Sequence, residues 1–193
     1  MNEYVLVFLG AAVVNNYVLT RFLGLCIFFG VSKSLSASAS MGVAVVSVMT
    51  ATSVIAWAVD AWILVPLGLE FMRTIVYVVL IACFVQLLEI VVKRAMPTLY
   101  GAWGIYLLLV ATNCIMLGVP LLNAEARYGF AKSVVNALGS GAGFAFALVL
   151  MAGIREKMQY ADVPRSLQGL GITFIVTGLL ALAFQGFSGM IPL

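Results

Sequence analysis

Long apolar runs alternate with short polar intervals along the chain, and the runs have the length of membrane spans. Six can be marked: Tyr4 to Val31, Ala39 to Val59, Phe71 to Val92, Gly101 to Leu122, Phe130 to Ile154 and Gly169 to Ile191. A helix of roughly 20 residues crosses a hydrocarbon core of about 30 Å and pairs its own backbone groups on the way. The intervals are Ser32-Lys33-Ser34-Leu35-Ser36, Asp60 to Glu70 with Pro66, Lys93-Arg94 with Pro97, Asn123 to Arg127, and Arg155-Glu156-Lys157 through Pro164-Arg165. None is long enough for a separate domain. The pattern therefore predicts an all-α integral membrane protein, one transmembrane domain over 1–193 with six transmembrane helices.

Two runs are interrupted. The first spans 28 residues, which at about 1.5 Å each is longer than the hydrocarbon requires. It contains Asn15, Asn16, Thr20 and Arg21, and Gly24 shortly before Cys26. The fourth carries Thr112 and Asn113 directly before Cys114, with Gly118 and Pro120 after it. Polar residues with Gly and Pro inside a span predict broken or re-entrant helices, tolerated where other protein covers the freed backbone.

Those interruptions flank a repeat. Cys26-Ile27-Phe28-Phe29-Gly30-Val31 returns 88 residues later as Cys114-Ile115-Met116-Leu117-Gly118-Val119, both reading C-I-x-x-G-V. The same offset superposes the first run on the fourth and the second on the fifth. The repeat unit is then three spans, about 1–95 and about 96–193. An odd number of crossings inverts the second copy, so the halves are expected to be related by a pseudo-twofold axis in the membrane plane.

Composition supports this picture: 64% of residues are hydrophobic, 9% are charged and there is no His. The net charge of +3 is spread over the intervals, with no basic run that would fit nucleic acid. Glu3 stands where a signal peptide would carry a basic residue, so no cleavage is expected. Intervals one, three and five hold Lys33, Lys93, Arg94, Arg155, Lys157 and Arg165, and the opposite side holds Arg73, Arg127 and Lys132, a bias of six to three. By the positive-inside rule both termini lie outside.

Only 3 residues are Cys, all within apolar runs, where small side chains commonly serve close helix packing as buried hydrophobes. That reading fits Cys83, which has no polar neighbour and no counterpart in the sixth run. Cys26 and Cys114, repeated beside polar breaks, are candidate ligands. Without His or a nearby carboxylate, a zinc site would lack donors. Two soft thiolates suit a 2Fe-2S cluster better, and such a cluster needs four Cys. This chain supplies half, so the rest would come from a second copy or a homologous partner. The competing reading is a small inverted-repeat ion or solute transporter or channel without a redox centre, using Asn15, Asn16, Thr20, Thr112 and Asn113 as ligands.

The run Asn15-Asn16-Tyr17-Val18-Leu19-Thr20-Arg21-Phe22-Leu23-Gly24-Leu25-Cys26, followed by Gly30-Val31-Ser32-Lys33, resembles the A subunits of Rnf electron-transport complexes. So do Thr112-Asn113-Cys114, Ile154-Arg155-Glu156, Ala161-Asp162-Val163-Pro164 and Gly186-Phe187-Ser188-Gly189. The resemblance implies membership of a ferredoxin:NAD oxidoreductase complex coupled to Na+ or H+ translocation, in a bacterial or archaeal cytoplasmic membrane. It implies pairing with the similar Rnf E subunit in opposite orientation, the two sharing a 2Fe-2S cluster bound here by Cys26 and Cys114. Further partners would be the B, C, D and G subunits, which carry the other iron–sulfur and flavin groups, so this chain would not be catalytic alone. The sodium-pumping NADH:quinone oxidoreductase has homologous subunits.

Overall fold

Helix is the only regular structure among the described residues, which in this computed structural model are 3–32, 34–95, 113–160, 162, 164 and 167–187. Helix α1 (Glu3–Leu9) runs into a π-helical stretch, Gly10–Val14, and is followed by two short helices, α2 (Tyr17–Thr20) and α3 (Leu25–Val31). Helix α4 (Leu35–Val59) continues through a second π-helical stretch, Asp60–Leu64, into α5 (Val65–Leu67). A 3-10 turn at Glu70–Met72 leads to α6 (Arg73–Ala95), and α7 (Cys114–Glu125), α8 (Phe130–Met158) and α9 (Leu170–Gln185) complete the order. Most of the fourth run, with Thr112, lies outside the described residues, as do Lys33, Pro97, Arg165 and the end of the sixth run.

Among the described residues three stretches have the length and apolar character to cross a membrane: Leu35–Leu67, Glu70–Val91 and Phe130–Met158, with mean hydropathy 1.9, 2.4 and 1.9. Their surfaces agree with a lipid solvent. Trp62 is 76% exposed and Phe71 80%, exposures that large side chains rarely show in water.

The centre of the molecule is the antiparallel pair α4 and α8. A Cβ on Gly42 would fall 2.7 Å from the Ala145 Cβ, and one on Gly141 3.0 Å from the Val46 Cα, so residues rise along one helix as they fall along the other. Helix α8 also receives α1, here in parallel. A Cβ on Gly139 would lie 2.7 Å from the Phe8 carbonyl oxygen, and one on Gly143 2.6 Å from that of Ala12. Glycines thus admit a neighbouring backbone on two sides of α8, as small residues do between membrane helices. Val45, Met49, Phe144, Leu148 and Met151 fill the core beside them.

The second run extends further than its sequence predicts. Asp60 does not end it, because Arg73 grips the carboxylate with Nε to Oδ1 at 2.7 Å and Nη2 to Oδ2 at 3.3 Å. The π-helical turn, closed by Val65 N–H to the Asp60 carbonyl, widens the backbone just before Pro66, which has no N–H to give. Helix stops at Gly68, whose φ of +68° a side chain would resist.

Candidate functional site

The breaks in the first run are built by its own polar residues. Asn16 caps α2, its side-chain oxygen accepting from Val18 N–H at 3.2 Å, while its Nδ2 donates to the Gly143 carbonyl at 2.8 Å. Thr20 Oγ1 donates to the Asn16 carbonyl at 2.8 Å. Asn16 and Thr20 thus satisfy backbone groups freed by the break, although a transporter reading would need them as solute ligands. Helix α2 ends with Leu23 N–H reaching back to the Tyr17 carbonyl at 3.1 Å. Phe22 (φ +55°) and Gly24 (φ +84°) turn left-handed there, the close of a Schellman-type end. Two residues after Gly24 comes Cys26, the second residue of α3.

Asn113 starts the second half-helix in the same way as Asn16 starts α2. Its side chain accepts from Ile115 N–H at 3.3 Å, so Cys114 is the first residue of α7. The elements before and around the two cysteines pack on each other. A Cβ on Gly24 would lie 2.7 Å from Asn113 Oδ1, and one on Gly118 2.9 Å from Leu23 Cδ1.

Each half-helix has an inner and an outer side. Ile27 and Phe28 beside Cys26, and Ile115, Met116 and Val119 beside Cys114, are fully buried. Cys26 and Cys114 are exposed. The buried-hydrophobe reading of the cysteines therefore fails for this chain, including Cys83, which is exposed on α6. Helix α3 is held at its far end by Arg155, which donates to the Phe29 carbonyl at 3.0 Å and to Ser32 Oγ at 2.9 Å. Phe29 also packs against Phe174 of α9, ring centroids 4.4 Å apart.

Among the described residues no group of three or more His, Cys, Asp or Glu could hold a metal ion. A complete centre would have to draw ligands from outside them. The donor set still fits part of a 2Fe-2S cluster: two exposed, soft thiols in the first turns of helices whose leading segments touch, with no hard oxygen ligand required. Arg21 is exposed, its guanidinium 5.9 Å from the Tyr17 ring centroid. It lines a cavity of about 330 Å³ with Asn15, Tyr17, Tyr128 and Asn136.

A second cavity, of about 350 Å³, is walled by Asp60, Arg73, Tyr77, Asn123, Tyr128 and Ser133. Between the two cavities Asn136 Nδ2 donates to Asn123 Oδ1 at 2.6 Å, and Asn123 Nδ2 to Ser53 Oγ and the Ser133 carbonyl, both at 3.3 Å. The apolar pattern does not point to this polar cluster. Its one signal in the sequence is a pair of Asn residues, Asn123 opening the fourth interval and Asn136 within the fifth run.

The Rnf-Nqr model, whose description is Rnf-Nqr subunit, membrane protein, matches residues 4–191. Over all 193 residues of both chains, the protein is 61% identical to the A subunit of the "Proton-translocating ferredoxin:NAD(+) oxidoreductase complex" of Clostridium ljungdahlii. It is 47% identical, again over the full length of both, to the A subunit of the "Ion-translocating oxidoreductase complex" of Shigella flexneri. A Yersinia pseudotuberculosis protein of the same name is 48% identical over 99% of each chain. With a family match across nearly every residue and relatives this similar over their full length, the chain belongs to the Rnf-Nqr family of membrane-protein subunits.

Proposed function

We propose that the chain is the A subunit of an ion-translocating ferredoxin:NAD oxidoreductase complex, and that Cys26 and Cys114 provide two of the four thiolates of a 2Fe-2S cluster. The other two come from the homologous Rnf E subunit, set in the opposite membrane orientation. The B, C, D and G subunits complete the electron path. The complex moves Na+ or H+ across a bacterial or archaeal inner membrane. The chain crosses it six times as two inverted three-span halves, with the fourth span broken before Cys114 and both termini outside.

One observation carries this reading. The two repeated cysteines are exposed on half-helices whose neighbouring Ile and Phe or Met residues are fully buried. Unlike Cys83, which is exposed on α6 but outside the repeat, these two thiols face outward beside the polar breaks, where a partner surface can reach them. The antiparallel α4–α8 pair, drawn from the second and fifth runs, supports the inverted halves. Contacts also group the chain ends as an alternating topology requires, with Arg155 at Ser32 and Lys132 at Glu3.

When bound, the cluster supplies a one-electron carrier inside a low-dielectric layer that a bare charge does not cross. The chain's part is to hold two thiolates rigidly. Gly24 and Asn113 fix the starts of the two half-helices, and Arg155 and Phe174 fix the far end of α3. In the purified complex, Cys26→Ala and Cys114→Ala should each lower acid-labile sulfide by about two per complex and remove this cluster's reduced-state electron paramagnetic resonance signal. Unchanged cluster content in both variants contradicts the assignment.

A further inference from the structure

Asn113 holds a hydrogen-bond donor that this chain does not use. Its side chain is 3% exposed, and its Oδ1 is committed to the Ile115 N–H. Its Nδ2 is the one buried side-chain polar atom without a partner among the described residues. Asn16, which caps α2 by the same oxygen-to-N–H bond, shows what is missing, because its Nδ2 is taken up by the Gly143 carbonyl at 2.8 Å. Asn123 and Asn136 also place their amide donors on acceptors. Burying a donor with no acceptor is unfavourable, and in the middle of an apolar layer no lipid can supply one.

The position of that donor names its acceptor. Asn113 directly precedes Cys114, and its amide lies against Gly24, two residues before Cys26. The Asn113 side chain, whose Oδ1 is the atom nearest Gly24, therefore sits between the starts of the two half-helices that carry the thiols. Phe144 closes over Gly24 from the other side, 3.0 Å from where its Cβ would be, so the surroundings there are aromatic.

We propose that Asn113 is a positioning residue whose side-chain N–H donates to a sulfur atom of the cluster, thiolate or sulfide, and thereby raises its reduction potential. The inference rests on the shared-cluster reading above. Hydrogen bonds to sulfur stabilise the added electron, which is how surroundings tune such potentials. The carbonyl half of the amide meanwhile keeps α7 capped, so one side chain sets both the ligand's place and its electronic environment.

The test uses the complete complex with Asn113→Ser and Asn113→Asp. Both substitutions keep an oxygen that caps α7 and remove the amide donor; serine does so without adding charge. Iron and acid-labile sulfide are measured first, then the midpoint potential by a redox titration followed by electron paramagnetic resonance. Pulsed measurements after exchange into deuterium oxide read the deuterons coupled to the cluster. Expected is full cluster content in both variants, a more negative midpoint in both, and loss of one deuteron coupling in Asn113→Ser. A full cluster with unchanged midpoint and coupling in Asn113→Ser overturns the inference and leaves the cluster reading standing. Loss of the cluster from both variants in an assembled complex also overturns it, since Asn113 would then serve assembly. Unchanged acid-labile sulfide in a complex lacking both Cys26 and Cys114 would instead refute the cluster reading itself.

Discussion

At the scale of single residues, asparagine is the side chain that lets this chain break its helices inside a membrane. Each break frees N–H groups that lipid cannot satisfy, and an Asn carbonyl at the N-cap takes one of them. Asn16→Ala removes both the cap of α2 and the bond to the Gly143 carbonyl. It should destabilise the protein by about 1–3 kcal/mol, read as a lowered unfolding midpoint in detergent. No change in midpoint would mean that water or a neighbour replaces the lost bonds. Phe22 behaves differently. It holds a left-handed backbone and leaves about half of its ring uncovered, at 53% exposure. Phe22→Gly relieves steric strain of about 1 kcal/mol at a similar entropic cost, so isolated-chain stability should barely move while co-purification of the partner falls. Unaltered co-purification would remove Phe22 from the interface.

Sequence at this scale locates residues better than it assigns their roles. Asn15, Asn16, Thr20, Asn113 and the two repeated cysteines stand out because polar side chains are rare in apolar runs. That Asn16 also holds the backbone of α8 is not legible there, since that bond is a tertiary contact to Gly143, 127 residues away. Exposure of the cysteines is equally hidden, because a helix's outward side is set by its neighbours and a Cys carries little hydrophobic signal of its own.

At the scale of elements, the apolar runs predict the helices well and their ends poorly. The pattern puts an interval at Asp60, yet helix continues to Leu67 because Arg73 neutralises the carboxylate and a π-turn accommodates Pro66. The glycines of α8 are just as silent in sequence. Spaced along a helix, Gly139, Gly141 and Gly143 look like helix-weakening residues until two other backbones are seen lying against them. Gly143→Val would drive a side chain into the Ala12 carbonyl, an overpacking that typically costs about 1–3 kcal/mol. A clearly lowered unfolding midpoint is expected, and unaltered stability would contradict the packing. Gly30 is the contrasting control. It is exposed one turn after Cys26, and a Cβ added there would meet no other part of the chain within 4 Å. Gly30→Leu should leave the isolated chain as stable as before and weaken assembly with the partner, measured by the yield of the co-purified pair. Full assembly would show that this side of α3 faces lipid.

At the scale of the whole molecule, the polar breaks, the antiparallel α4–α8 pair and the two exposed thiols describe a packed helical protein that turns two cysteines outward. Its hydrophobic core is continuous, and the asparagine caps of α2 and α7 satisfy backbone groups there without a metal. Folding and cluster binding should therefore separate: Cys26→Ser should leave the unfolding midpoint nearly where it was while removing the cluster from the complex. A collapse of folding in Cys26→Ser would mean that the cysteine is structural. The most direct test compares the chain expressed alone with the chain co-expressed with the homologous Rnf E subunit, assaying iron and acid-labile sulfide in each purified sample. The half-site reading predicts none in the single chain and about two of each per pair. A full complement in the single chain, or in a pair lacking both Cys26 and Cys114, would contradict it.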